Sequence, residues 1–142
     1  MLEIVHSTGL FALDLPPGWR WHDEPDGGAA VPSGAPGALV ISAQAVEDPT
    51  RLPNLSRMLA GFLTLRGRPV AADALATVEV DGSQGVSYWY TEGGHFWQIW
   101  VVGNQATWAL LSYNCPAEFH DAHRQALDTI LASMRLSVLD DM

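Results

Sequence analysis

The chain has no lysine, a single cysteine and no long hydrophobic run. Its seven basic residues are all arginines, and 16 acidic residues bring the formal net charge to −9. A surface of this sign repels the phosphates of nucleic acids and of anionic lipid headgroups, so neither nucleic acid nor a membrane is an expected partner. The single cysteine, Cys115, also excludes a disulfide within the chain.

Signals for export or membrane insertion are missing from the printed residues as well. No basic residue precedes Arg20, so the N-terminal segment does not resemble a signal peptide. No stretch approaches the roughly 18 consecutive apolar residues of a membrane-spanning helix. We therefore expect the protein to act in the cytoplasm, with an export signal removed ahead of Met1 as the alternative.

What is present indicates one globular domain. A chain of 142 residues with 48% hydrophobic content can bury a core without the help of disulfides. Its 13 glycines and nine prolines are too many for a helical bundle, and they favour short strands joined by turns. We predict a single domain over residues 1–142, with an acidic tail that frays from about residue 137.

Alternating apolar and polar residues predict strands in the first half of the chain, closed by turns rich in glycine and proline. Residues 26–37 are predicted to form a loop, with a short strand around Ala29–Val31. Apolar residues at helical spacing then predict a first helix that begins near Asp48 and ends near Arg66. The predicted strands in this half are Phe11–Leu15 and Ala38–Val46.

Four strand patterns in the second half are separated by dipeptides typical of two-residue hairpin loops. Such loops fix the register of the strands they join, and here they place Glu92 opposite His95 and Val102 opposite Gln105. The dipeptides are Asp81-Gly82, Gly93-Gly94 and Gly103-Asn104. The strands of this predicted meander are Thr77–Val80, Gly85–Glu92, His95–Val102 and Gln105–Asn114.

The predicted register divides the meander into two faces of different character. One face is entirely apolar or aromatic and is expected to lie against a core. The other mixes large aromatic residues with small polar ones, and it carries Trp89, Phe96, Gln98, Trp100 and Tyr113. Two interpretations of this mixed face stay open: a helix covers it, or part of it is open and binds another protein.

A second helix is predicted from Pro116 onward, because proline suits the first turn of a helix. An apolar stripe at helical spacing follows, from Phe119 to Met134. The complete prediction is an α+β fold, in which an antiparallel sheet of five to seven strands ends in the four-strand meander and carries two helices.

Both ends of the chain resemble the PsbP/DcrB-like superfamily of small α/β sandwich domains. The stretch FALDLPPGW, from Phe11 to Trp19, is similar to the opening strand and Pro-x-Gly-Trp turn of that group, and ILASMR, from Ile130 to Arg135, resembles its closing helix end. The resemblance implies a non-enzymatic role, since members are mostly photosystem subunits, lipoproteins and adaptor chaperones for type VI secretion effectors. Small bacterial immunity proteins have comparable size and acidity.

Cys115, His120 and His123 form the one sequence cluster with metal-binding or nucleophilic chemistry. The histidines are three positions apart on a predicted helix and could meet one ion, while the helix N-terminus would lower the pKa of a Cys115 thiol. A catalytic zinc needs a third well-placed ligand, and His123 lies in the apolar stripe, where a hydrogen-bonded core histidine is ordinary. We predict no catalytic residue, metal or cofactor.

These observations favour a non-catalytic module that binds a protein partner, as an adaptor, chaperone-like or immunity-type protein of a bacterial secretion or toxin system. The predicted contact patch consists of Trp89, Gln98 and Trp100. The acidic surface would speed the encounter with a basic partner. A homodimer through the same patch is a further option.

Two other classes of function stay open at this point. A small-ligand or lipid-binding domain would use a pocket between sheet and helix, lined by Tyr88, Trp97 and Trp108. A metal-dependent enzyme would use Cys115 with His120 or His123.

Overall fold

The computed structural model describes residues 1–138, which form ten strands, two α-helices and two short 3-10 turns. The strands are β1 (Leu2–Val5), β2 (Phe11–Leu15), β3 (Trp19–Glu24), β4 (Gly27–Pro32), β5 (Ala38–Ala45), β6 (Ala76–Val80), β7 (Ser83–Glu92), β8 (His95–Gly103), β9 (Thr107–Pro116) and β10 (Arg135–Leu136). The helices are α1 (Leu55–Leu65) and α2 (His120–Ser133), and the 3-10 turns are Ala72–Ala74 and Ala117–Phe119.

Seven strands form one antiparallel sheet in the order β3-β4-β5-β9-β8-β7-β6, and β1, β2 and β10 form a second, three-stranded sheet. The two helices pack on opposite faces of the large sheet, with α1 against the meander β6–β9 and α2 on the other side together with β2. The predicted α+β fold is confirmed. The two edges of the large sheet are β3 and β6.

Two of the three predicted hairpins have two-residue loops, and the predicted pairing of Glu92 with His95 is confirmed. Val80 pairs with Ser83 and Glu92 pairs with His95, and positive φ angles at the intervening residues suit these tight turns. The predicted pairing of Val102 with Gln105 is wrong, because Val102 pairs with Ala109.

The longer third connection is built around Asn104. Its Oδ1 accepts hydrogen bonds from the N–H groups of Ala106 (2.7 Å) and Thr107 (2.9 Å), which stabilises a wider loop than the dipeptide predicts. Because the register changes by an even number of residues, each side chain of β9 stays on its predicted face. The division of the meander into two faces is therefore correct despite the wrong pairing.

The apolar face of the meander packs against α1. Leu55, Leu59 and Leu63 recur at intervals of four along the helix, so they form one buried stripe. The sheet residues of this cluster are Val86, Tyr90, Ile99 and Val101.

The mixed face lies under α2, as the first of the two interpretations expects. The helix contributes Leu127 and Ile130 to the larger core cluster, and Met134 follows at its end. From the sheets this cluster takes, among others, Phe11, Leu13, Leu39, Ile41, Phe96, Trp100, Leu111 and Tyr113. Aromatic residues predicted on this face are thus core in part, and the open part is the groove described below.

The predicted loop over residues 26–37 is a strand over half its length. Gly27 and Gly28 begin β4, and both are buried. A Cβ on Gly27 would lie 1.8 Å from the carbonyl oxygen of Ile41, and one on Gly28 would lie 2.4 Å from the ring of Trp21. These glycines allow neighbouring strands to approach closely within the sheet. A segment rich in glycine can equally form a flexible loop, so composition alone does not distinguish the two structures.

Both helices begin later than predicted. Helix α1 begins at Leu55, where the Asn54 side chain caps it by accepting a hydrogen bond from the Arg57 N–H (3.1 Å). Helix α2 begins at His120, because β9 continues to Pro116 and a 3-10 turn follows. Neither helix in the described part of the chain combines the length and apolar character needed to cross a membrane.

The start of the predicted frayed tail is held in place. The Ser137 N–H donates to the Leu10 carbonyl (2.8 Å), and the Asn104 side chain donates to the Ser137 carbonyl (3.1 Å). The acidic residues of the tail, Asp140 and Asp141, lie outside the described residues.

Candidate functional site

A groove of about 720 Å³ opens on the mixed face of the sheet, between α2, the edge strand β6 and the middle of the meander. We call it the α2 groove. Its lining combines aromatic, aliphatic and charged side chains from β6, β7, β8, the second 3-10 turn and α2. The lining residues are Val78, Glu79, Val80, Trp89, Thr91, Phe96, Gln98, Trp100, Ala117, His120, Arg124, Leu127, Asp128 and Leu131.

All three residues of the predicted contact patch line this groove. Trp89 and Gln98 are directly opposite each other on β7 and β8, and Trp100 follows on the same face of β8. Their exposure differs sharply: Trp89 is 62% exposed, Gln98 is half-buried and Trp100 is 4% exposed. The structure brings the patch together, and whether it binds a partner stays a prediction.

The exposed Trp89 ring packs beside a second aromatic ring of the sheet. It stacks on Phe96 with ring centroids 6.0 Å apart, and Phe96 in turn stacks on His120 at 3.7 Å. The three rings join the sheet to the first turn of α2. A rigid aromatic side chain loses little entropy when a ligand covers it, which suits a binding surface.

The wall formed by α2 was missed from the sequence. His120, Arg124 and Asp128 are spaced four residues apart, so they lie on one side of the helix and face the groove. Arg124 also pairs with Asp121 at 3.6 Å, an exposed ion pair of little energetic weight. The spacing was visible in the sequence, but the sequence does not say which side of α2 borders the sheet opening.

Cys115 lies behind the groove in the core and does not open α2. It is the ninth residue of β9 and is fully buried. Burial raises the pKa of its thiol, so the prediction that a helix N-terminus would lower that pKa is wrong. A thiol in this environment is inert at neutral pH.

His123 is a buried core residue, as its place in the apolar stripe predicted. Its Nδ1 is hydrogen-bonded to the Tyr113 hydroxyl at 2.5 Å, and its ring packs edge-on against Trp19 at 5.5 Å. His120 instead stacks on Phe96, so the two histidines serve different contacts. Among residues 1–138, no three histidine, cysteine or acidic side chains are grouped closely enough to hold a metal ion.

The residues of the alternative ligand pocket are placed elsewhere. Tyr88, Trp97 and Trp108 are packed, partly buried, against the core cluster beneath α1. The Arg66 guanidinium lies over the Trp97 ring at 4.5 Å and covers it further. The α2 groove is on the opposite face of the sheet, so these three residues do not line it.

A second, more polar groove of about 650 Å³ lies on the α1 side of β6. We call it the α1 groove. It shares Val78 and Glu79 with the α2 groove, so the edge strand β6 separates the two. The other lining residues are Pro53, Asn54, Leu55, Ser56, Thr77, Gln84, Gly85 and Val86.

Acid is expected to destabilise the protein in part through His123. Burial and the nearby His120 lower the pKa of His123 below its ordinary value of 6.5. As the pH falls through that value, the unfolded chain takes up a proton before the folded protein does, so the free energy of unfolding decreases. Below the folded-state pKa both states are protonated, and this contribution stops changing.

The measurement is thermal unfolding from about pH 7.5 to 5.5, for the wild type and for His123→Gln, which can still bond to Tyr113. We expect the wild-type melting temperature to decline more steeply than that of the variant. Parallel curves for the two proteins would show that His123 does not contribute to the pH dependence.

No protein-family model and no curated protein matches the chain, but solved structures do. The cyanobacterial PsbP protein (CyanoP) of Synechocystis superposes with a TM-score of 0.67 at 11% identity, over 96% of this chain and 92% of that one. The chain has a PsbP-like fold. LpqN of Mycobacterium tuberculosis, described as involved in cell envelope biogenesis, has a TM-score of 0.61 at 14% identity, over 96% of this chain and 90% of that one.

A protein from Bacteroides thetaiotaomicron also superposes on this chain, with a TM-score of 0.62 at 15% identity over 96% of this chain. The chain spans about half the length of that protein, 48%. Identities this low show a common fold and nothing about activity.

The two motifs that carry the sequence resemblance meet in the PsbP-like fold. Strand β10 pairs with β2, so that Arg135 lies opposite Ala12. The Ser133 hydroxyl accepts a hydrogen bond from the Asp14 N–H at 2.8 Å. The motifs therefore specify the contact that joins the end of α2 to the small sheet.

Proposed function

We propose that the protein is a non-catalytic module that binds a protein partner in the α2 groove. The observation that carries the proposal is Trp89, a large aromatic residue that is 62% exposed and stacked in place at the mouth of the groove. An exposed, ordered tryptophan beside a groove is typical of the residues that dominate binding energy at protein interfaces. The Gln98 amide and the Arg124 guanidinium supply polar groups around it.

The chemistry of the surrounding side chains supports binding over catalysis. Cys115 and His123, the strongest catalytic candidates of the sequence, are buried in the core, where His123 is hydrogen-bonded to Tyr113. Burial raises the pKa of the Cys115 thiol and so keeps it in the neutral, weakly nucleophilic form. His120 reaches the groove, but its ring is stacked on Phe96.

The net charge of −9 favours a basic partner, because opposite charge speeds the encounter between proteins. We further propose an adaptor, chaperone-like or immunity-type role in the bacterial cytoplasm. LpqN, which has a similar structure, is described as involved in cell envelope biogenesis. This description suggests the cell envelope as a second location for the same binding function.

Replacement of Trp89 by alanine is expected to abolish partner capture. Loss of an interface tryptophan costs about 2 kcal/mol or more of binding free energy, roughly a thirtyfold loss of affinity. The measurement is a pull-down from native host lysate followed by mass spectrometry. Leu65→Ala is the matched control, because Leu65 is 89% exposed on α1, on the other side of the sheet.

One defined protein should be retained by the wild type and by Leu65→Ala, and lost with Trp89→Ala. Equal retention by all three proteins would contradict a role for the α2 groove. A volume of about 720 Å³ also lies in the range of small-molecule sites, roughly 300–1,000 Å³. A small molecule that co-purifies with the wild type but not with Trp89→Ala, detected by native mass spectrometry, would move the assignment to ligand binding.

A further inference from the structure

Strand β6 is an open edge of the large sheet. It is last in the strand order, and among residues 1–138 only β7 pairs with it. An edge strand presents unpaired N–H and C=O groups, which can template pairing with another chain. The other edge, β3, carries four charged or histidine side chains in six residues (WRWHDE), whereas β6 (ATVEV) carries one.

The hairpin geometry determines which backbone groups of β6 face outward. Asp81 (φ 49°) and Gly82 (φ 79°) form a two-residue turn with both φ angles positive, and Val80 pairs directly with Ser83. Residues of an antiparallel ladder alternate between hydrogen-bonded and non-hydrogen-bonded pairs, and the pair that closes such a turn is hydrogen-bonded. The N–H and C=O groups of Thr77 and Glu79 therefore point away from β7.

The side chains of β6 point into two different surroundings. Val78 and Val80 belong to the core cluster on the α2 side, and Glu79 lies opposite Gln84 on the α1 side. A strand added along β6 would likewise alternate its side chains between the two faces. One set would enter the aromatic α2 groove, and the other would enter the polar α1 groove.

The charge of this edge favours a basic strand. Glu79 lines both grooves, and Asp73 and Asp81 flank β6 along the chain. Among the described residues, Arg124 is the one arginine that lines the α2 groove, and no arginine lines the α1 groove, where Glu79 faces outward. Within the described residues, none of the ion pairs involves Glu79 or Asp81. A second copy of the chain would bring the same net charge of −9 to the contact, so self-pairing is opposed by like-charge repulsion.

We propose that β6 binds an extended, basic peptide segment of the partner by strand addition. Backbone hydrogen bonds to Thr77 and Glu79 hold the segment, apolar side chains enter the α2 groove beside Trp89, and a lysine or arginine lies over Glu79 on the α1 side. This inference rests on the proposed function, and it specifies the conformation and charge of the bound segment.

The test uses a capped peptide of alternating valine and lysine, about seven residues long, which suffices to run along β6. Its binding is measured by titration calorimetry, and amide hydrogen exchange of the protein is followed by NMR. We expect the peptide to slow exchange at the Thr77 and Glu79 amides by about tenfold or more. The same peptide with alternate backbone nitrogens methylated should not bind, since it cannot pair on that edge.

Two variants separate the backbone from the charge. Thr77→Pro removes an outward N–H without breaking a bond to β7, and proline is tolerated at such positions of edge strands. It should keep the melting temperature of the wild type and weaken peptide binding about tenfold or more. Glu79→Gln keeps the backbone and should weaken binding about threefold, with a smaller dependence on salt.

The outcomes distinguish this inference from the proposed function. Absence of binding by the wild type, or wild-type affinity in a folded Thr77→Pro variant, overturns strand addition. If Trp89→Ala alone reduces binding, the groove binds the peptide by side chains only, and the proposed function stands without strand addition. If Thr77→Pro alone reduces binding, strand addition stands and the role of Trp89 is wrong. If the free protein forms a dimer and Thr77→Pro dissociates it, the strand that pairs with β6 belongs to a second copy of the chain, and the proposal of a basic peptide is overturned.

Discussion

Replacement of Gly27 by alanine is expected to destabilise the protein by about 3 kcal/mol or more. Gly27 is buried at the start of β4, and an added Cβ would lie 1.8 Å from the Ile41 carbonyl oxygen. No flexible side chain can move aside there, because the obstacle is the backbone of the paired strand β5. The strands must separate, which weakens the pairing of β4 with both of its neighbours. Chemical denaturation monitored by circular dichroism measures the change in the free energy of unfolding.

Gly61→Ala provides the matched control for the same change in composition. Gly61 is exposed within α1, and an added Cβ would meet no atom within 4 Å. Because alanine favours the helix over glycine, this variant should gain about 0.5–1 kcal/mol. A Gly27→Ala variant as stable as the wild type would show that β4 does not approach β5 as closely as described.

Replacement of the two groove tryptophans should have very different effects on folding. Trp100 is 4% exposed and packs in the core cluster that includes Leu127 of α2, so Trp100→Ala removes a buried ring and leaves a cavity. Such substitutions cost about 3–5 kcal/mol. Trp89 is 62% exposed, and Trp89→Ala should change stability by less than about 1 kcal/mol, mainly through lost stacking on Phe96.

Equilibrium unfolding of the two single variants in urea measures this difference directly. Similar midpoints for Trp89→Ala and Trp100→Ala would mean that α2 does not cover the mixed face as described. The expected result also decides which variant is used to test binding. If Trp100→Ala failed to bind a partner, the cause could be unfolding of the variant as readily as the loss of a direct contact. Trp89→Ala is the variant that can remove the contact and keep the fold.

Local patterns explain why the meander could be predicted. Hairpin dipeptides and alternating polarity act over a few residues, so they specify β6 to β9 and the side of the sheet on which each side chain lies. The two helices follow in the same way from stripes such as Leu55, Leu59 and Leu63. The strand β4 was predicted only around Ala29–Val31, and its start was missed because Gly27 and Gly28 are required by close contacts with Ile41 and Trp21 on the neighbouring strands, which no local pattern shows.

The sequence by itself determined the α+β class, the meander with its two faces, both helices and a contact patch whose members meet in one groove. The tertiary structure alone decided which of them are accessible. Trp89 and Trp100 lie on the same face of the neighbouring strands β7 and β8, and the position of α2 beside that face helps to bury Trp100 while Trp89 stays exposed. That position depends on long-range contacts, such as the bond from Asp14 to Ser133 and the pairing of β10 with β2, and no local pattern records them.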